Sequence, residues 1–202
     1  QCGRFVRGLA VPVRHTDGST YTARFDPARV FVFGHSQGGL NAPLWLAAND
    51  GARAAVLSGA GGAFNVALLA KTRPVNVPQI ITTILQLAPR ELNACHPAIT
   101  LLQLLIDPSD PVNYGRYIVR EPRAGVRPKH VFQTQGFVDN FTAIESIAAL
   151  ARSIGLPLVE PVLFADALFP LTGVGATTLP ARHNLVAAGG AMVTAAWMQF
   201  NE

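Results

Sequence analysis

A serine set between glycines is the first place where this 202-residue chain has the makings of chemistry. The pentapeptide Gly34-His35-Ser36-Gln37-Gly38 follows an apolar, β-branched and aromatic run at residues 30–33 (VFVF), and residues 37–48 then read as a helix kinked at Pro43. A serine hydroxyl is a poor nucleophile until a base takes its proton and its oxygen stands clear of its neighbours. A tight turn between a buried strand and a helix meets the second need by holding the serine in a strained conformation, with small residues two places before and two places after it. Gly34 and Gly38 supply those positions, and Gly39 adds room. The backbone N–H of Gln37, at the positive end of the new helix, is the predicted oxyanion donor. A glycine-rich turn with an idle serine is the bland alternative, and the strand before and helix after weigh against it.

An activated serine also needs a base and a group that orients the base. Asp139 is the candidate acid: it follows residues 129–135 (KHVFQTQ), a predicted strand, at the carboxyl edge where α/β sheets place their sites. Its task would be to hold an imidazole in the right tautomer and stabilise its cation. The competing reading is a helix N-cap, because a helix is predicted over about residues 141–153. His183 follows Asp139 in the chain and is one candidate base. Residues 192–200 (MVTAAWMQF) read at least as well as a strand as a helix. If they form the last strand of the sheet, the base instead comes after Glu202, and both readings stand. His35, His96 and His130 read as structural, and Asp107 and Asp110 as turn formers. Histidines and carboxylates show no metal-ligand spacing, so neither a metal nor an organic cofactor is expected. The loop 59–62 lacks a Walker lysine and a dinucleotide fingerprint.

Three segments, GHSQGGLNAPLWLA (34–47), AVLSGAGG (55–62) and HVFQTQGFVDNFT (130–142), carry a family likeness. The chain resembles the α/β-hydrolase superfamily, in particular its bacterial lipase- and esterase-like members, most clearly at the serine turn and least after Gly155. That resemblance implies a mostly parallel, doubly wound sheet of eight strands and a Ser, Asp, His triad in that chain order, here Ser36, Asp139 and His183 or a later histidine. It implies hydrolysis of carboxylic esters through an acyl-enzyme. The alternative is a non-catalytic scaffold of the same fold that binds a partner or an apolar ligand. Only 29 residues precede Val30, too few for the usual four strands. The expectation is therefore a partial domain that lacks its N-terminal strands and second oxyanion donor, with residues 30–33 along an unpaired edge.

The elements that must position these groups are read from composition and pattern. The length suits one domain with a sizeable core. Half of the residues are hydrophobic and only 14% are charged, against about a quarter in ordinary soluble domains. The net charge of +4 is carried by scattered arginines, with Lys71 and Lys129 the only lysines, so no clustered footprint for nucleic acid is present. The most apolar stretch, residues 99–106, is far shorter than the roughly 20 residues of a membrane span. Residues 54–58 read as a buried strand and 158–164 as a candidate strand. Residues 3–15 fit a helix or a short strand, with helix favoured, and 16–29 are turn-rich. In residues 64–128 the strand–helix alternation lapses, and helical candidates at 79–87 and 98–106 mark a lid-like insert. Its apolarity points to a small-molecule, lipid-like ester with a hydrophobic acyl group as the partner. Cys2 and Cys95 are either one disulfide of a secreted protein or two unrelated thiols.

Overall fold

The computed structural model describes residues 8–164 and 166–201. Residues 10–24 form an antiparallel hairpin of β1 (Ala10–Arg14) and β2 (Thr20–Arg24), closed by a turn in which Asp17 accepts from the Ser19 N–H at 2.8 Å. The helix favoured for residues 3–15 is thus replaced by strand over its described second half. Alternation of Val11 and Val13 with other residues, plus the Asp17-Gly18 turn, lets a local partner pair with it. Residues 1–7, Cys2 among them, lie outside the described residues, and Cys95 is exposed.

The main sheet has four parallel strands in the order β3 (Phe31–His35), β4 (Ala54–Ser58), β5 (His130–Gly136) and β8 (Ala195–Phe200). Three of these strands coincide with the predicted ones to within two residues. The tail of the chain divides: Met192–Val193 (β7) pairs with Leu185–Val186 (β6), and only Ala195–Phe200 joins the main sheet. The candidate strand at 158–164 reduces to bridges at Leu158 and Val159. β3 is one edge strand among the described residues, and β8, flanked only by the Leu158 bridge, is the other.

Two helices pack on one face of the sheet. Helix α1 (Gln37–Ala48) runs back from β3, and a Cβ on Gly34 would lie 2.9 Å from the Cβ of Ala42 on that helix. On the same face Leu57, Val131 and Trp197 are buried. The other covering helix is Ile144–Ile154, labelled α6 below. It buries Ile147, Leu150, Ala151 and Ile154 and ends at Gly155, whose left-handed φ of 82° lets its N–H close on the Ala151 and Arg152 carbonyls. The polar Gln133 and Gln135 of β5 are buried under this helix, donating to the Ile147 and Ile144 carbonyls at 2.8 and 3.0 Å. The opposite face leaves Phe31 66% and Phe33 71% exposed. The architecture is thus an α/β parallel sheet flanked by helices. Where both faces were expected to be wound, helices pack on one face among the described residues.

Residues 64–128 hold four helices: α2 (Phe64–Ala70), α3 (Val77–Leu85), α4 (Pro97–Ile106) and α5 (Arg116–Val119). Helix α6 (Ile144–Ile154) follows β5. Both predicted helices of this stretch are present as α3 and α4, and α2 and the one-turn α5 are additional. The anchor of α2 is Asp110, 1% exposed. The carboxylate accepts from the Ala63 and Phe64 N–H groups at 3.0 Å each, from Gln103 Nε2 at 2.9 Å and from the Val112 N–H at 3.1 Å. A residue read as a turn former thus also fixes the start of α2, four donors compensating its burial. At the far end of the sheet the buried Lys129 ammonium meets Asp50 at 2.9 Å, and Arg127 pairs with the same carboxylate at 2.6 Å. These cations, Arg127 first, hold the Asp50 carboxyl well below its ordinary value.

Candidate functional site

Ser36 sits at the junction of β3 and α1 with φ 51° and ψ −118°. This is a conformation that L-residues avoid and that costs about 1–3 kcal/mol. The chain over-determines it. The Ser36 N–H donates to the Ser58 carbonyl at 3.0 Å, and the Ser36 carbonyl accepts from the Gly39 and Leu40 N–H groups at 2.8 and 3.2 Å. The side chain is exposed and its hydroxyl makes no capping bond to the helix. The N–H of Gln37 belongs to the first turn of α1, whose donors have no intrahelical acceptor.

The space around this turn is divided unevenly among its glycines. A Cβ on Gly34 would come within 2.7 Å of the Gly38 carbonyl oxygen, and one on Gly39 within 2.6 Å of the Ala60 Cβ. At Gly38 a Cβ would meet nothing within 4 Å. The close approach expected at Gly34 and Gly38 therefore falls on Gly34 and Gly39, because α1 is pinned against both its own strand and the loop after β4.

Asp139 lies in the turn after β5, on the same edge of the sheet. Its Oδ1 accepts from the Phe141 and Thr142 N–H groups at 2.8 and 2.9 Å. It is not the helix N-cap, since α6 begins at Ile144 and its N-cap position is Ala143. The Oδ2 points toward Gly59, 3.4 Å from where a Cβ on that residue would stand. Gly59 follows Ser58, the residue that holds the Ser36 N–H, so only the end of β4 separates the acid from the serine.

His183 is elsewhere. Its N–H donates to Thr194 Oγ1 at 3.1 Å and its ring lies 6.1 Å from the ring of His130. Thr194 precedes β8 and His130 opens β5, so this pair occupies the amino-terminal edge, across the sheet from Ser36. The structure brings Ser36, Gln37 and Asp139 to one edge and does not bring His183 there. Burial, reinforced by His183 and Arg53, lowers the His130 pKa, and its Nδ1 accepts from the Thr194 N–H at 2.8 Å. His35, read as structural, meets Ser58 Oγ through Nδ1 at 3.2 Å, and its Cε1 lies 4.0 Å from where a Cβ on Gly59 would stand.

Above the serine is a cleft of about 230 Å³ lined by Ser36, Gln37 and Gly59 on its floor. Its apolar wall comes from Leu40 of α1, Phe64, Ala67 and Leu68 of α2, and Phe141 and Ala143 beside the acid. The α2 residues recur at positions i, i+3 and i+4, so one helical face forms this wall. The string FNVALLAK carries that spacing, which was the available signal for a helix the sequence reading passed over. Two wall hydroxyls are committed to the fold: Thr142 donates to the Gly59 carbonyl at 3.1 Å and Ser146 to the Gly62 carbonyl at 2.7 Å.

No helix among the described residues is long and apolar enough to cross a membrane. No protein-family model matches the chain, and no curated protein matches it.

Proposed function

We propose that this chain carries the catalytic edge of an α/β-hydrolase-type serine esterase, acting on carboxylic esters with a hydrophobic acyl group. The observation that carries the reading is the backbone of Ser36, left-handed in φ between a strand and a helix, with its hydroxyl exposed at the floor of a cleft. Strain of this kind concentrates at functional sites, and a serine at a strand-to-helix turn is where it would serve a nucleophile.

In this reading Ser36 Oγ attacks the acyl carbonyl and gives its proton to an imidazole base, which passes it to the departing alcohol. The Gln37 N–H, aided by the positive end of α1, stabilises the oxyanion. Asp139 orients the base through Oδ2, its Oδ1 being already tied to two backbone donors. His183 lies across the sheet from Ser36, so in this reading a different imidazole serves as the base. The Phe200 carbonyl accepts from the Phe137 N–H, so β8 delivers the chain beside the turn that carries Asp139. The helices of residues 64–128 act as the lid and acyl wall, and Leu101, Leu104 and Leu105 of α4 stay largely exposed, as a cover for apolar substrate requires.

The scaffold reading has one observation in its favour: no histidine lines the cleft among the described residues. Treating the full-length protein with a fluorophosphonate probe separates the two. The expected outcome is one adduct, on Ser36, abolished in Ser36→Ala. An intact, folded protein that takes no label would support the scaffold.

A further inference from the structure

We infer that Lys71 makes this cleft selective for esters that also bear a carboxylate, an assignment that rests on the serine-esterase reading above. Lys71 caps the C-terminal end of α2, three and four positions beyond Leu68 and Ala67, and so continues the helical face that walls the cleft. Among the described residues it is the one charged residue that lines the cleft. The residue is partly buried, and its ammonium has a single, solvent-exposed hydrogen bond among the described residues, to the Phe141 carbonyl at 3.3 Å. No carboxylate lies within ion-pairing distance of it among those residues.

The contrast with Lys129 is informative. That lysine is buried and matched to Asp50, so its charge is spent on the fold. An ammonium carries three donors, and Lys71 uses one of them on a neutral acceptor. The other two have no partner among the described residues, beside a cleft whose wall is mostly apolar and whose Thr142 and Ser146 hydroxyls are already bonded to backbone carbonyls. Charge-assisted hydrogen bonds are the stronger class, so a small acid-bearing acyl or alcohol group gains there what a neutral one does not. The cleft holds about 230 Å³, below the roughly 300 Å³ at which drug-sized sites begin. A short chain with a terminal carboxylate suits that volume.

The test uses a matched pair, monomethyl glutarate and methyl pentanoate, which have the same acyl chain length and differ by the terminal carboxylate. With the full-length protein, kcat/KM should favour the acid-bearing ester, chiefly through KM. In Lys71→Met the ratio of the two kcat/KM values should fall by about tenfold, and Lys71→Arg should retain most of it. Equal losses on both esters would overturn the inference, since they would mean that Lys71 acts by holding the Phe141 turn. A wild-type ratio that the Met variant leaves in place overturns it too. The second measurement needs no turnover: glutarate titrated into Ser36→Ala protein, followed by calorimetry, should bind and should weaken by about tenfold when Lys71→Met is added. Glutarate binding that depends on Lys71, in a protein that cleaves neither ester, would sustain the anion site while removing the esterase reading. Absence of Lys71-dependent binding, with both esters cleaved, would do the reverse.

Discussion

If Ser36 is strained for the sake of exposure, replacing it with glycine should make the protein more stable. At φ 51° and ψ −118° an L-residue suffers a contact between its Cβ and its own backbone that glycine lacks. Relief is worth about 1–3 kcal/mol. Against it stands the greater freedom of glycine in the unfolded chain, about 0.4–1 kcal/mol. The hydroxyl itself contributes little to stability, being exposed and without a capping bond. Ser36→Ala keeps the Cβ and the strain and serves as the reference. The difference between Ser36→Gly and Ser36→Ala should therefore be about 1 kcal/mol in favour of glycine, or roughly 2–4 °C in melting temperature for a chain of this length. Urea and thermal melts monitored by circular dichroism read it directly, and both variants should lose the fluorophosphonate adduct. A glycine variant no more stable than the alanine variant would refute the argument from strain, and with it the principal support for a nucleophile at this position.

Two further outcomes follow from the same geometry. Gly39→Ala should destabilise by about 1–3 kcal/mol, because its Cβ would lie 2.6 Å from that of Ala60, while Gly38→Ala, in open space, should be neutral or stabilising by up to about 1 kcal/mol; paired urea melts check the opposite signs. Because the lowered pKa of His130 lets the unfolded state bind its proton first, stability should fall as pH drops below the ordinary histidine value of about 6.5, and this part of the loss should vanish in His130→Asn, measured as midpoints from pH 8 to 5.

The parts of this fold that were legible in the sequence are those whose signal is local. Residues 54–58 and 130–136 have no room for a helix between their breakers, and the helix at Gln37–Ala48 is launched by the serine turn itself. The helix expected over about residues 141–153 is present as α6, Ile144–Ile154, and ends at Gly155. Helix α2 was harder to see: it is short, its N-cap is Ala63 in the left-handed region with no side-chain cap, and what secures it is Asp110, remote in sequence. No propensity argument reaches across that gap. Nor could spacing reveal that Gly38 faces open space while Gly39 does not, because the crowding comes from Ala60 on another loop.

The choice between His183 and another histidine turns on a different kind of information, the edge of the sheet that each connection reaches. In a parallel sheet every strand ends at one edge and begins at the other, so a connecting residue's edge depends on which end of a strand it adjoins. Asp139 comes directly after β5 and must lie at the carboxyl edge with Ser36. A residue in the return from α6 to the strand at 195–200 adjoins that strand's beginning, and so falls at the amino edge with Thr194 and His130. Of the two readings that the sequence left open, a strand at the chain's end therefore goes with a base other than His183. With β8 in the sheet, the loops that reach the Asp139 edge are those at the strands' carboxyl ends, and the Phe200 to Phe137 hydrogen bond places the end of β8 beside that turn.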